Sequence, residues 1–235
     1  MYKHFFKRVC DIICALAVFL ILWPLFLVLV ILVRTKLGSP VFFRQVRPGK
    51  DGKLFVIYKF RSMTDKKDEN GNLLPDEQRL TKFGKFLRSS SLDEMPEAIN
   101  ILKGEMSVIG PRPLLVKDYV FFDNNIKQRQ SVKPGLSGLA QVNGRNSITW
   151  EDKFKYDLEY INKVSFFKDV ALVFKSFTKV FVKNDKSDID REGFATDEDY
   201  GDYLLRTNQI SKEEYDKIIE ECNKLLEEFN GKHKK

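Results

Sequence analysis

The longest apolar stretch lies near the start of the chain. From Ile12 to Val33 no residue is charged, which makes roughly 22 residues, or about 33 Å of helix, enough to span a bilayer. The run is too long for a secretory signal, and no small-residue cleavage site follows it. Two features complicate a simple span. Pro24 sits near the middle, where it removes a backbone donor and kinks a helix. Cations flank both ends, with Lys3, Lys7 and Arg8 before the run and Arg34 and Lys36 after it. Positive residues stay on the cytoplasmic side. A spanning helix puts one cluster outside, whereas a helix bent at Pro24 keeps both inside. The residues alone allow either, because a proline in a membrane helix is often only a kink.

Beyond Lys36 the pattern is that of a soluble domain. Val41–Val46 and Leu54–Phe60 are β-rich and flank the turn cluster Arg47-Pro48-Gly49-Lys50-Asp51-Gly52, which predicts a hairpin. Asp65–Asn72 reads as a loop. Arg79–Arg88 reads as a helix. A further helix begins near Ser91–Asp93 with Pro96 in its first turn and runs to about Leu102. Leu114–Gln130 is another helical candidate, Lys133–Arg145 an irregular glycine-rich loop, and Trp150–Lys163 a helix. In Phe166–Lys183 the apolar positions follow helical spacing, with lysines mostly on the other side. Such a helix either packs on the core or lies in a headgroup layer. Asn184–Arg191 is a polar linker. Two tail helices follow, Asp197–Arg206 and Lys212–Phe229, the second opened by a capping box of Ser211 and Glu214. Its stripe of Tyr215, Ile218, Cys222, Leu225 and Phe229 suits packing on its own domain or self-association.

Composition narrows the chemistry. The 235 residues carry 40 Lys+Arg against 33 Asp+Glu, a net charge of +7. The only histidines, His4 and His233, lie near the termini, which argues against histidine acid–base chemistry and a histidine zinc site. Cys10, Cys14 and Cys222 form no disulfide pattern and fit a reducing compartment. The cations are interspersed with acids and no nucleic-acid motif is present, which argues against a nucleic-acid partner.

What chemistry remains centres on Ser91-Leu92-Asp93-Glu94-Met95-Pro96-Glu97. Adjacent carboxylates at a helix start often only cap it. They can also divide roles, one as nucleophile or base and the other holding a hard cation such as Mg²⁺. Gly110-Pro111-Arg112-Pro113 holds an arginine between two prolines, so its planar fork of donors is set for phosphate oxygens. Lys59, Arg61, Arg88 and Arg145 add cations nearby in the sequence. Together these features suggest a metal-assisted diphosphate site.

Several long segments, in order, resemble the monotopic phosphoglycosyl transferases, a family of bacterial sugar transferases. They are Lys7-Arg8 with Asp11 and Pro24, Gly38 through Gly49, Tyr58-Lys59-Phe60-Arg61-Ser62-Met63, Leu92 through Asn100, Gly104 through Pro113, and Pro134 through Arg145. The likeness covers about residues 3–185. It implies transfer of a phospho-sugar from a UDP-sugar to polyprenyl (undecaprenyl) phosphate with release of UMP. On this resemblance Asp93 is the nucleophile of a phospho-sugar–enzyme intermediate and Glu94 helps hold Mg²⁺. Arg112 and Arg88 bind phosphate, and Asp169 matches a further functional acid. It also implies an α/β fold, mostly α with a small β-hairpin or sheet. A re-entrant helix–break–helix precedes a small domain with interfacial amphipathic helices, on the cytoplasmic face of the bacterial inner membrane.

Gly71 through Leu74, Val142 through Asn146, and Arg191-Glu192-Gly193 are similar to members that load phospho-diacetylbacillosamine for glycoprotein assembly. Trp23 and Leu139 depart from the residues common in relatives. The expected organisation is a membrane hairpin over 1–36, a catalytic domain over 37–185 and a helical tail over 186–235. The sites expected are Asp93, Glu94 and Asp169 for catalysis, Lys59, Arg61, Arg88, Pro111, Arg112 and Arg145 for phosphate, Glu94 for metal and Pro24 for the bend. Two rivals stand beside this reading: a non-catalytic membrane-surface scaffold, and the same transfer with Asp93 acting only as a general base.

Overall fold

The computed structural model describes residues 2–144, 148–181 and 198–233. A short π-helical turn, Tyr2–Phe6, leads into one long helix, α1, Lys7–Leu37. The backbone stays helical through Pro24, so the expected break is made without any non-helical residue. A proline forfeits one hydrogen bond and tilts the axis, and neither effect requires a non-helical residue.

At 31 residues α1 is long and apolar enough to cross a membrane. One stripe of it nevertheless docks on the domain at both ends. Lys7, Asp11 and Ala15 are buried in the first half, and Leu29, Val33 and Leu37 in the second. Val18, Phe19, Phe26 and Val30 fill the interval at helical spacing. The other side, including Leu20, Ile21, Trp23 and Leu27, is exposed.

Strands β1, Phe42–Pro48, and β2, Leu54–Phe60, form the expected antiparallel hairpin with Phe42 opposite Phe60. Positive φ at Asp51 and Gly52 turns the chain, in keeping with residues that tolerate it. The second half of α1 packs here: the Phe26 ring lies 5.1 Å from Phe60, and Phe60 stacks on Phe42 at 5.5 Å. The first half seats Ala15 among Phe55, Ile57, Ala98, Ile101 and Met106. Polar bonds fix this seat. Arg8 donates to the Ile101 and Leu102 carbonyls, and Asp11 accepts from Ser107 Oγ and the Val108 amide, both at 2.9 Å.

The single helix expected over Arg79–Arg88 is two, α2, Asp76–Arg79, and α3, Lys82–Ser89. Thr81 caps α3 by accepting from the Gly84 amide, so helix starts anew there. The helix expected from Ser91 begins later, as α4, Glu97–Lys103, after a 3-10 turn at Leu92–Glu94. Leu114–Gln130 likewise divides into α5, Val116–Tyr119, and α6, Asn124–Lys127, then a 3-10 turn. Asp123 accepts from the Ile126 amide at 2.7 Å and restarts the helix.

The stretch expected to be irregular contains β4, Gly135–Ser137, parallel to β3, Ser107–Ile109, and then α7, Leu139–Asn143. Its glycines serve that pairing. A Cβ on Gly135 would lie 2.1 Å from the Gly110 nitrogen, and one on Gly138 2.2 Å from the Gly110 oxygen.

Helices α8, Trp150–Asn162, and α9, Phe166–Phe181, follow, then the tail helices α10, Tyr200–Arg206, and α11, Lys212–His233. The tail packs on its own domain. Tyr200 and Leu204 join Leu114, Phe121, Phe122, Trp150 and Phe154 in one cluster, with Tyr215, Ile218 and Ile219 against it. In α9, Asp169 and Leu172 face inward while Phe166, Phe167 and Phe174 are exposed, so the helix has both an inward face and an apolar outer one.

Candidate active site

Three elements meet at one carboxylate. Ser91 adopts a left-handed backbone, φ 56°, at a cost of about 1 kcal/mol. The chain turns there, so that Leu92 and Met95 pack beside Val33, Leu37 and Leu87 of the membrane-helix cluster. Asp93 and Glu94 lie between these two anchors. Lys59 reaches in from the end of β2, its Nζ 2.6 Å from Glu94 Oε1 and 3.2 Å from Glu97 Oε1. Arg112 reaches in from the Pro-Arg-Pro turn, 2.7 Å from the same Glu94 Oε1.

That turn is held from below by a buried pair the sequence reading did not single out. Arg129 donates through Nε and a terminal nitrogen to Asp157 Oδ2, at 2.9 and 2.6 Å, and the same terminal nitrogen donates to the Arg112 carbonyl at 2.8 Å. The Gly135 amide donates to the Pro111 carbonyl at 2.9 Å. Pro111 therefore contributes backbone position, which orients Arg112.

The electrostatics separate the three acids. Burial opposes ionisation of Glu94, but the charges of Arg112 and Lys59 outweigh it and hold the group down at about 2. Burial and the Glu94 charge push Asp93 up to about 6 and Glu97 up to about 7. Among the described residues none donates a hydrogen bond to Asp93, which is nonetheless buried. Glu97 is 2% exposed, and the Lys59 ammonium lies 3.2 Å from its Oε1. The site thus holds one carboxylate shared by two cations, a second that shares Lys59, and a third with no donor among the described residues.

The other expected residues are placed as follows. Arg88 donates to Ser62 Oγ at 2.9 Å and its charge lowers the pKa of Asp93, so it borders the cluster. Arg61 pairs with the exposed Asp65 at 2.6 Å and makes no bond to Glu94. Arg145 lies outside the described residues. Pro24 is exposed on α1. Asp169 is elsewhere bonded: it accepts from Lys7 at 2.6 Å, Tyr2 at 2.7 Å and Tyr160 at 2.8 Å, tying the start of α1 to α8 and α9.

Among the described residues no three acidic, histidine or cysteine side chains converge as a metal cage. Mg²⁺ does not need one, because it is held by one or two carboxylates together with substrate phosphates. Glu94, with the Glu97 carboxylate beside it on the shared Lys59, fits that donor set.

A family model described as bacterial sugar transferase matches residues 2–183. The chain belongs to this family. Within it, this sugar transferase is 48% identical over 176 residues to the sugar transferase EpsL of Bacillus subtilis (strain 168), covering 75% of this chain and 87% of that protein. It is 42% identical over 187 residues to a UDP-glucose:undecaprenyl-phosphate glucose-1-phosphate transferase of Klebsiella pneumoniae, covering 75% and 40%. It is 34% identical over 200 residues to an undecaprenyl-phosphate galactose phosphotransferase of Salmonella typhimurium (strain LT2), covering 78% and 42%. The match thus spans about two fifths of these last two relatives. The family model ends at residue 183, before the described tail helices.

Sequence reasoning found Lys59, Glu94 and Arg112, which the fold brings to one oxygen. It gave no role to Glu97, although Glu94 and Glu97 are three apart, the spacing of one helical face. Nothing local in the sequence pairs Arg129 with Asp157.

Proposed function

We propose that the protein transfers a sugar 1-phosphate from a UDP-sugar to polyprenyl phosphate and releases UMP. The observation that supports this most is a buried Asp93, without a hydrogen-bond donor among the described residues, beside cations that share one oxygen of Glu94. Lys59 and Arg112 are positioned for diphosphate oxygens. A planar guanidinium on a turn whose backbone Arg129 holds stabilises charge on the phosphoryl oxygens. Asp93 attacks the phosphorus bearing the sugar, the bond to UMP breaks, and UMP leaves with the electron pair. A carboxyl–phosphate anhydride remains on Asp93. The phosphate of the acceptor then attacks that phosphorus and frees the carboxylate. Mg²⁺, when bound through Glu94, would offset the negative charge of the diphosphate.

The same reading places the protein on the cytoplasmic face of the inner membrane without crossing it. Both halves of α1 dock on one domain, which favours re-entry over a full span. Phe166, Phe167 and Phe174 of α9 then lie in the headgroup layer. Among UDP-sugars, an N-acetylated amino sugar such as diacetylbacillosamine is our candidate. The experiment is UMP release from a panel of UDP-sugars with undecaprenyl phosphate and Mg²⁺. Turnover with one sugar supports the reading, and no turnover with any of a broad panel overturns it.

A further inference from the structure

We propose that one face of the β1–β2 hairpin is the seat of the lipid acceptor. Val41 and Phe43 hold the isoprene units nearest the phosphate, and Arg61 holds the phosphate. This rests on the transfer just proposed and adds the acceptor's position.

An open groove of about 510 Å³ is lined by Pro40, Val41, Phe42, Phe43, Arg44 and Arg61. Strand register shows what its floor is made of. Phe43 lies opposite Lys59, and the Arg61 amide bonds the Val41 carbonyl at 2.9 Å, extending the same ladder. Residues opposite one another share a face, and the face repeats every second residue. Phe43 and Lys59 therefore share a face, and Val41 and Arg61 continue it past the strand ends to line the groove, with Val41 also packed against the α1 cluster.

The two faces of the hairpin lead to different places. Lys59 is already in the catalytic cluster, 2.6 Å from Glu94. On the opposite face of the hairpin, Phe42 and Phe60 stack against Phe26 of the membrane helix. Phe42, which lines the groove, packs on Phe26 of the apolar helix, and Lys59 on the Phe43 face reaches the reacting carboxylates. A molecule with an apolar chain and one anionic end complements the groove, with Phe43, a large aromatic left 46% exposed, for the chain. Arg61 is available to such a phosphate, because its partner Asp65 is 57% exposed and surface pairs are weak.

The test uses the full chain in detergent micelles, with undecaprenyl phosphate as the acceptor probe. Phe43→Ala should raise the acceptor KM roughly tenfold, with kcat changed by less than about twofold. Phe43→Leu should recover most of the loss, and Arg61→Gln should also raise the acceptor KM. UMP released in one turnover without acceptor reports that the donor site of each variant is intact. Wild-type acceptor KM in both Phe43→Ala and Arg61→Gln would overturn the proposal. So would competitive inhibition by phosphatidylglycerol at concentrations matching the acceptor KM, which would make the groove a general phospholipid seat. A wild type that never releases UMP with any UDP-sugar would instead count against the transfer itself.

Discussion

Asp169 and Glu94 each receive a lysine ammonium at 2.6 Å, but their surroundings differ. At Asp169 both oxygens are filled: Oδ2 accepts from Lys7 and Tyr2, and Oδ1 from Tyr160. At Glu94 two cations crowd one oxygen, while Glu97 shares Lys59 at 3.2 Å and Asp93 has no donor among the described residues. A complete network rigidifies what it joins, here the start of α1 and helices α8 and α9. An incomplete one raises the free energy of the empty site, and a ligand that supplies the missing partners recovers it. By this physical criterion we read Asp169 as an anchor and propose the Asp93–Glu94–Glu97 group as the binding and reacting site.

The sharpest way to break that contrast is Asp93→Asn. Asparagine is nearly isosteric, but a neutral amide is a poor nucleophile. Acceptor-free UMP release should fall by about a thousandfold or more. The folded protein should not suffer. A carboxyl whose folded pKa is raised prefers its neutral form, so ionised Asp93 costs stability as pH rises through about 6. The Tm of Asp93→Asn at pH 7.5 should therefore equal or exceed that of the wild type. A stoichiometric UMP burst in this variant would leave Asp93 the role of general base at most.

Asp169→Ala should show the opposite profile. It strands Lys7 in a buried position, and removing one partner of a buried pair costs about 3–5 kcal/mol. Thermal unfolding should move down by many degrees and the start of α1 should become protease-sensitive. Replacing Lys7 with Met in the same chain should recover part of the loss. Activity per folded molecule should change far less than in Asp93→Asn, and equal losses in the two would erase the distinction.

How much of this was legible before the fold depended on sequence separation. The β1–β2 hairpin was readable because Asp51 and Gly52 supply its turn locally. Lys59, Asp93, Glu94 and Arg112 stood out through their motifs, without showing that two cations would share one oxygen. Helix starts at Lys82 and Asn124 were missed because Thr81 and Asp123 cap them within longer helical patterns. Strand β4 was missed because glycines read as a loop, while their actual use is close backbone approach to Gly110. Arg129 and Asp157 lie 28 residues apart, and only the tertiary fold makes them a pair.

A pH profile sharpens the contrast further. If Asp93 attacks as a carboxylate, its ionised fraction sets the rate of acceptor-free UMP release. With the group held up at about 6 by burial and by Glu94, the rate should be level above about pH 7 and fall about tenfold per unit well below 6. Rapid-quench measurements from pH 5 to 8 give the curve. A level rate down to pH 5 would show that Asp93 is not held up during reaction.

The smallest expected effect concerns who holds the cations when no nucleotide is present. Glu94 Oε1 occupies both Lys59 and Arg112, so an incoming diphosphate must compete with it. Glu94→Gln removes the competing charge and leaves both cations in place. UMP should then bind the variant about threefold to tenfold more tightly than the wild type in the absence of divalent metal, a difference of about 0.6–1.4 kcal/mol. In the wild type, Mg²⁺ should tighten UMP binding by drawing Glu94 away from the cations, and in Glu94→Gln that gain should largely vanish. Isothermal titration with and without Mg²⁺ reads all four affinities independently of turnover. The same pair of titrations on Asp169→Asn should show no such change, because that carboxylate holds no cation a phosphate could use. If Glu94→Gln instead weakened metal-free UMP binding, Glu94 would be arranging the cations for the nucleotide, and the crowding at its Oε1 would be a scaffold like the one at Asp169.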